Sequence, residues 1–295
     1  MLVRDTPCDT SKDSPEPDLG TLEVLMVRRN LRSDFVGGAY VFPGGGLDPS
    51  DYSESAASIS PGRSDSEASS LLGLVSGGLA YWVAVLRECF EEAGLLLAYR
   101  SKLPDKNAAL ISLTDPTKQA HFDRLRCALN SKEKSFVKLC ADEHLLLAVE
   151  RVYYFAHWIT PAGAPRRYDT RFFVARAPVD QRPTNDAGET IDEVWINPLE
   201  ALRQHREGQI ELIFPTIRNL QAISRFSSSE ELIDAAAKAE SSVSLVEPRV
   251  VADGNGVRIL LPGDPGYDDI AADDAPSSPA TFNEVVREIS KDANR

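Results

Sequence analysis

Four charges fall within six residues in the stretch Arg87-Glu88-Cys89-Phe90-Glu91-Glu92-Ala93-Gly94, which is preceded by an apolar run and followed by Leu95, Leu96 and Leu97. At about 100° per residue, a helix places Glu88 and Glu92 one turn apart with Glu91 beside them. Like charges at these spacings destabilise an isolated helix by about 0.2–0.5 kcal/mol per pair. Arg87 reaches Glu91 at i+4, but one cation does not balance three carboxylates. Such a cluster either faces water, as an ordinary solvated helix face, or holds cations. Clustered hard oxygens with no nitrogen or sulfur partner suit Mg²⁺ or Mn²⁺ rather than zinc.

The element carrying this cluster reads as a helix over Leu79 to Glu92. Val83, Leu86 and Phe90 give it one apolar face, and Gly94 is placed to end it in the left-handed conformation. Cys89 reads as a small buried hydrophobe rather than a nucleophile. Upstream, Leu2 and Val3 begin a strand, and Leu22 to Arg28 is a largely buried one. Arg28, Arg29 and Arg32 follow at its end, as a solvated rim or a phosphate-steering patch. A short strand, Ala39 to Phe42, runs into Pro43-Gly44-Gly45-Gly46, whose glycines allow close backbone approach to another group. Residues 48–70 are rich in Ser, Asp, Glu, Ala and Gly and read as a mobile low-complexity insertion without chemistry.

Downstream, residues 104–143 hold a polar connection and then a helical pattern. Leu145 to Ile159 and Arg166 to Ala175 read as two strands of a hairpin-like pair. A short strand, Ile191 to Ile196, precedes a helix over Leu199 to Glu207 with Pro198 in its first turn. Further helices are expected from Phe214 to about Phe226 and over 229–239, the latter with Ser228 and Glu231 as a capping box. Pro248 to Leu261 suggests a hairpin, and the acidic tail from Asp268 reads as disordered up to a short helix near Phe282 to Ile289.

Bulk properties narrow the functional classes. The chain has 295 residues, 42% hydrophobic and 26% charged, the composition of a soluble globular protein. A formal net charge of −13 argues against a general binder of nucleic acid or anionic membranes, though not against a small anionic substrate. Cys8, Cys89, Cys127 and Cys140 form no CxxC pair and the four histidines are scattered, so neither a zinc site nor a disulfide framework is expected. No apolar run reaches the roughly 18–20 residues of a membrane span. The first residues lack a signal-peptide core and the last are not a peroxisomal Ser-Lys-Leu. The expected setting is a reducing one, the cytoplasm or an organelle matrix.

Gly44-Gly45 together with Arg87-Glu88-x-x-Glu91-Glu92-x-Gly94-Leu95 resembles the signature of the Nudix hydrolases. The second half of that box matches closely, with Cys89 where a larger apolar residue is usual. The first half is interrupted: Gly45 and Arg87 are 42 positions apart, 28 more than the family's spacing. The box glutamate that precedes the helix has no clear counterpart, although Asp51 stands at the right distance from Gly45. One branch carries such an interruption, the coenzyme A diphosphatases with a long box insertion. Phe42-Pro43-Gly44-Gly45, Trp158-Ile159-Thr160-Pro161, Arg167 to Phe173, Trp195 to Leu202 and Leu261-Pro262-Gly263-Asp264 are similar to that branch as well. The resemblance implies a Nudix-type α/β/α sandwich with a mixed curved sheet, over residues 1–268. Within it lie a flexible insertion at 46–78 and a helical one at 104–143; residues 269–295 form the tail.

The same resemblance implies hydrolysis of a diphosphate linked to another moiety, with coenzyme A or acyl-coenzyme A as the leading substrate. Other nucleoside diphosphate derivatives, such as ADP-ribose or NADH, and a non-catalytic binding module are the alternatives. Glu91 and Glu92 would be principal Mg²⁺ ligands, with Mn²⁺ as a substitute. Glu88 would be a ligand or the base that activates water, Arg87 would orient a glutamate, and the Gly45 carbonyl would approach a metal. Glu189 is the alternative base, with Glu193 behind it. Arg28, Arg29 and Arg167 are candidates for contacting substrate phosphates. The expected partner is a small nucleotide, with no nucleic acid or membrane and with room for a homodimer.

Overall fold

In β2 (Leu22–Arg29), Leu25 packs into one hydrophobic core while Val24 and Met26 pack into another, all fully buried. Side chains alternate across a strand, so this sheet is covered on both faces and its strands read as continuous apolar runs. These coordinates belong to a computed structural model that describes residues 1–6, 20–30, 37–100, 108–162, 164, 166–184, 190–253 and 256–270.

In chain order, β1 (Leu2–Asp5), β2 and β3 (Tyr40–Val41) lead into a 3-10 turn (Pro49–Tyr52) and helices α1 (Glu54–Ser58), α2 (Asp65–Leu72) and α3 (Leu79–Ala93). Next come β4 (Ala98–Arg100), α4 (Pro116–Asn130), α5 (Phe136–Asp142), β5 (Leu145–Leu147) and a 3-10 turn (Val149–Arg151). The hairpin β6 (Val152–Ile159) and β7 (Asp169–Arg176) follows, then β8 (Thr190–Ile196), α6 (Pro198–Arg206), α7 (Phe214–Ile223) and α8 (Ser229–Ala239). A last 3-10 turn (Glu240–Ser242) precedes β9 (Leu245–Val246), β10 (Arg249–Asp253) and β11 (Gly256–Leu260).

Seven strands form one mixed sheet in the order β3-β2-β1-β7-β6-β9, with β8 also paired to β2. The β1–β7 and β6–β9 joins are parallel and the others antiparallel. Strand β2 is the hinge of this order. Its first residues pair with β1, Val27 and Arg28 pair with β3, and Val24 to Arg29 pair with β8. One core lies under α3, where Trp82, Leu86 and Phe90 meet Leu72, Phe122, Phe136 and Phe173. The other lies under α6, α7 and α8, around Leu202, Ile217, Leu220 and Leu232. The architecture is the expected α/β/α sandwich on a mixed sheet.

The structure corrects several expectations. The serine-rich stretch is not a featureless linker: it builds a 3-10 turn and two helices, each with a side-chain cap. Its serines act at the positions where serine favours structure. Ser53 caps α1, and Ser64 and Glu67 form a capping box on α2. Ala56, Ala68, Ser69 and Leu72 are buried by the fold. The expected single strand from Leu145 to Ile159 is broken by the 3-10 turn, because Leu145–Leu147 pairs with β4 in a separate ribbon. The capping box expected on α8 is displaced by one residue: Ser228 accepts from the Glu231 amide, but the Glu231 carboxylate takes the amide and hydroxyl of Ser227. The expected helix near Phe282, and the tail beyond Ile270, lie outside the described residues.

Candidate active site

Helix α3 ends as its sequence dictates. Gly94 is left-handed at φ 68°, its amide bonds to Phe90 O and the Leu95 amide reaches back to Cys89 O. The helix presents its charged cluster inward, since Arg87, Glu88 and Glu92 are all buried. A buried cluster of this kind requires compensation within the protein.

Arg87 supplies most of it. Its Nε and Nη2 donate to the two oxygens of Asp51 at 3.2 and 3.1 Å. Nη2 also donates to Gly46 O at 2.6 Å, and Nη1 donates to Glu88 Oε1 at 2.6 Å and Glu91 Oε2 at 2.9 Å. Burial opposes the guanidinium charge, but the Asp51 hydrogen bonds and the fields of Glu88, Asp51 and Glu91 outweigh it and raise the pKa. Asp51, 2% exposed, also accepts from the Asp48 amide at 2.8 Å. The residue at the right sequence distance from Gly45 is thus the fixed partner of Arg87, and the inserted helices do not separate the two halves of the box.

The glycine turn closes on the other side. The Gly44 amide donates to Glu92 Oε2 at 2.9 Å. A Cβ on Gly45 would stand 2.5 Å from Glu88 Oε1, so the backbone there passes against the carboxylate. The pairing in space of Gly45 with the helix, across 42 positions of sequence, is therefore realised. Cys89 is buried, and burial pushes its thiol up to about 12, as befits a small core residue rather than a nucleophile.

The other candidates fall in different places. Arg28 and Arg29 line the same cleft as Gly44, Gly45 and Glu88. Arg28 Nε donates to Gly38 O at 3.2 Å, and its guanidinium lies 6.0 Å from the Tyr40 ring centroid. Arg167 donates to Thr160 O and pairs with Glu247, and its neighbour Arg166 is the residue that lines the cleft. Glu193 sits on β8 opposite Val27. Glu189 lies outside the described residues. Sequence reasoning missed Tyr40, whose hydroxyl donates to Asp192 at 2.8 Å, and the cluster of His157, Asp169 and Arg171 on the β6–β7 hairpin. Strand register alone sets Tyr40 beside Asp192 and His157 beside the Asp169–Arg171 pair, and no spacing in one strand reveals that.

A hard divalent cation fits the donor chemistry here: Glu88, Glu91 and Glu92 are carboxylates on adjoining turns of one helix, beside a glycine backbone that approaches closely. Among the described residues no three His, Cys, Asp or Glu side chains converge as a ready-made metal cluster. Arg87 bonds Glu88 and Glu91, and the Gly44 amide bonds Glu92. The carboxylate donors are present and held in place by Arg87 and the Gly44 amide.

A mixed sheet sandwiched by helices, with an Arg-Glu-x-x-Glu-Glu helix closed by a glycine turn, defines the Nudix class. The chain shares its fold with a crystal structure of a NUDIX hydrolase from Alicyclobacillus acidocaldarius, at a TM-score of 0.55 and 23% identity over 82% of this chain and 93% of that one. Within the class, the NUDT19 Nudix domain model matches residues 63–223, more than half of the sequence, and the chain belongs to that family. It is 25% identical over 236 residues to the acyl-coenzyme A diphosphatase NUDT19 of Xenopus laevis, covering 71% of this chain and 62% of that relative's length. It is 27% identical over 290 residues to the Homo sapiens protein of the same name, covering 88% and 75% respectively. A putative nudix hydrolase 7 of Caenorhabditis elegans is 25% identical over 207 residues, 70% of this chain and 57% of that one.

Proposed function

We propose that the protein hydrolyses the diphosphate of coenzyme A or acyl-coenzyme A, giving 3′,5′-ADP and 4′-phosphopantetheine or its acylated form. The observation that carries this reading is the intact set Arg87, Glu88, Glu91 and Glu92, with Arg87, Glu88 and Glu92 buried, set against Gly44–Gly46 across a 28-residue insertion in the sequence. The similarity to proteins named acyl-coenzyme A diphosphatase supplies the substrate class.

In the reaction, a water oxygen bonds to one phosphorus, the bridging P–O bond breaks, and the bridging oxygen leaves with the other phosphoryl group. Divalent ions, Mg²⁺ or Mn²⁺, when bound, neutralise charge on the diphosphate and lower the pKa of coordinated water. Glu91 and Glu92 would hold them, with Glu88 as a third ligand or as the base that takes the water proton. Glu189 is the other candidate for that base. Arg87 fixes Glu88 and Glu91 in position and is itself fixed by Asp51. Arg28 and Arg29, which line the cleft, attract and bind phosphate oxygens. The catalytic unit is assigned to residues 1–268, including both insertions.

The test is turnover with Mg²⁺ or Mn²⁺ on a panel of coenzyme A, acyl-coenzyme A, ADP-ribose, NADH and diadenosine polyphosphates, with products separated by chromatography. Coenzyme A species are expected to be cleaved fastest. Glu91→Gln and Glu92→Gln are each expected to lower turnover by at least about 100-fold. Full activity in both variants would end the metal-ligand assignment, and faster cleavage of ADP-ribose or NADH would move the substrate assignment.

A further inference from the structure

One guanidinium in the cleft has no role in the reaction as described. Arg171 lies on β7, and its guanidinium stacks 4.9 Å from the ring centroid of Tyr81 at the start of α3. Only 8% of its side chain is exposed. Nη1 donates to Asp169 Oδ1 at 2.9 Å and, at 3.5 Å, to the Tyr81 hydroxyl. Its Nε is buried and meets no acceptor among the described residues. A buried charged donor without an acceptor destabilises the fold that holds it. The same Asp169 oxygen also stands 2.6 Å from His157 Nε2. One carboxylate serves two basic side chains.

The position is informative. Tyr81, Val85 and Glu88 follow one another at i, i+4 and i+7 along α3, and all three line the cleft together with Arg171 and Asp169. Seven residues of helix rise about 10 Å. Tyr81, on whose ring the guanidinium stacks, is therefore about 10 Å along the helix from Glu88. A ligand that fills both ends carries a second anionic group beyond its diphosphate.

We propose that Arg171, flanked by His157, is the subsite for a phosphate monoester on the ribose of the nucleotide half, and that it selects 3′-phosphorylated substrates over their dephosphorylated forms. This rests on the diphosphatase reading above. The planar guanidinium fork matches a phosphate monoester, and Asp169 and the Tyr81 ring hold the fork in place. A charge-assisted hydrogen bond of this kind corresponds to about a 10- to 100-fold preference.

Calorimetric binding of 3′,5′-ADP and 5′-AMP to wild-type protein, Arg171→Gln and Arg171→Lys tests this, alongside kcat/KM for coenzyme A and 3′-dephospho-coenzyme A. The wild type is expected to prefer 3′,5′-ADP by about 10- to 100-fold. Arg171→Gln is expected to abolish that preference by weakening 3′,5′-ADP alone, and Arg171→Lys, which keeps the charge but not the fork, to retain part of it. The coenzyme A kcat/KM should fall by the same factor, with the dephosphorylated substrate unaffected. No preference in the wild type, or an undiminished one in Arg171→Gln, overturns the subsite. The wild-type comparison needs no variant, so a misfolded substitution does not shelter the proposal. Coenzyme A cleavage without 3′-phosphate preference would sink the subsite and leave the diphosphatase reading standing. Preference for 3′,5′-ADP without coenzyme A cleavage would do the reverse.

Discussion

Gly45 is set by its neighbour rather than by its own conformation. A methyl group there meets the end of the Glu88 side chain, not backbone, so the side chain can yield while the fold persists. Gly45→Ala is therefore expected to lower turnover at least about tenfold by displacing Glu88, with a melting temperature close to wild type. A large loss of stability, or wild-type activity, would contradict this account of the turn. Asp51 has the opposite character. Its side chain is fully buried, and removing it leaves Arg87 with Glu88 and Glu91 but without its bidentate partner. Breaking a buried ion pair costs about 3–5 kcal/mol, and with two partners remaining the low end is expected for Asp51→Ala, measured by urea denaturation. At this scale the sequence was most informative about Arg87, Glu88, Glu91 and Glu92, whose crowding needs an explanation in any context. It was less so about Asp51, an acidic residue among many until Arg87 is seen to bond it. Arg167, picked for its charge, pairs with Glu247.

Helix α3 is held at both ends by segments additional to the box. At its start, Gly78 offers no side-chain cap, and the insertion supplies one. Asp65 accepts from the amides of Gly77 and Leu79 at 2.9 and 3.0 Å, and Ser69 Oγ accepts from Gly78 at 2.9 Å. At its other end, Arg126 Nε and Asn130 Nδ2 of α4 donate to Glu91 O at 2.9 and 3.3 Å. An anion at the N-terminus and a cation at the C-terminus both suit the helix dipole. The Gly77 and Leu79 amides hold the Asp65 carboxyl below its ordinary value of 3.8. The folded protein then stays ionised where the unfolded chain takes up a proton, so this contribution is full above pH 3.8 and is lost as pH falls through the lowered value. Asp65→Ala is expected to cost about 1 kcal/mol at pH 6, and the gap from wild type should shrink towards pH 3. Thermal melts across that range measure it; a gap that stays constant would contradict the cap. Serine and aspartate favour loops and N-caps alike. Composition alone therefore read this insertion as mobile, although Ser64 and Glu67 stand at capping-box spacing.

Across the whole molecule, strands buried on both faces were the legible part. β2 announces itself as an apolar run and β6 as a largely apolar one, whereas β4 spans only three residues and β9 only two, too few for any period to show. Pairing order was out of reach, since β1 joins β7 across most of the chain. At the C-terminal side, Arg249 holds the carbonyls of Tyr267 and Ile270, which sets the practical limit for shortening the chain. A chain ended after Ile270 is expected to keep the melting temperature and turnover of the full sequence within about twofold; collapse of either would place the tail inside the catalytic unit. The central claim is that the carboxylates of α3 drive hydrolysis of a diphosphate. Mass spectrometry of the products from acyl-coenzyme A, Mg²⁺ and ¹⁸O-labelled water tests it most directly. The account predicts 3′,5′-ADP and acyl-4′-phosphopantetheine, one of them carrying a single labelled oxygen, and almost none of either from Glu92→Gln. Release of free coenzyme A through thioester cleavage, or equal product from Glu92→Gln, would contradict it.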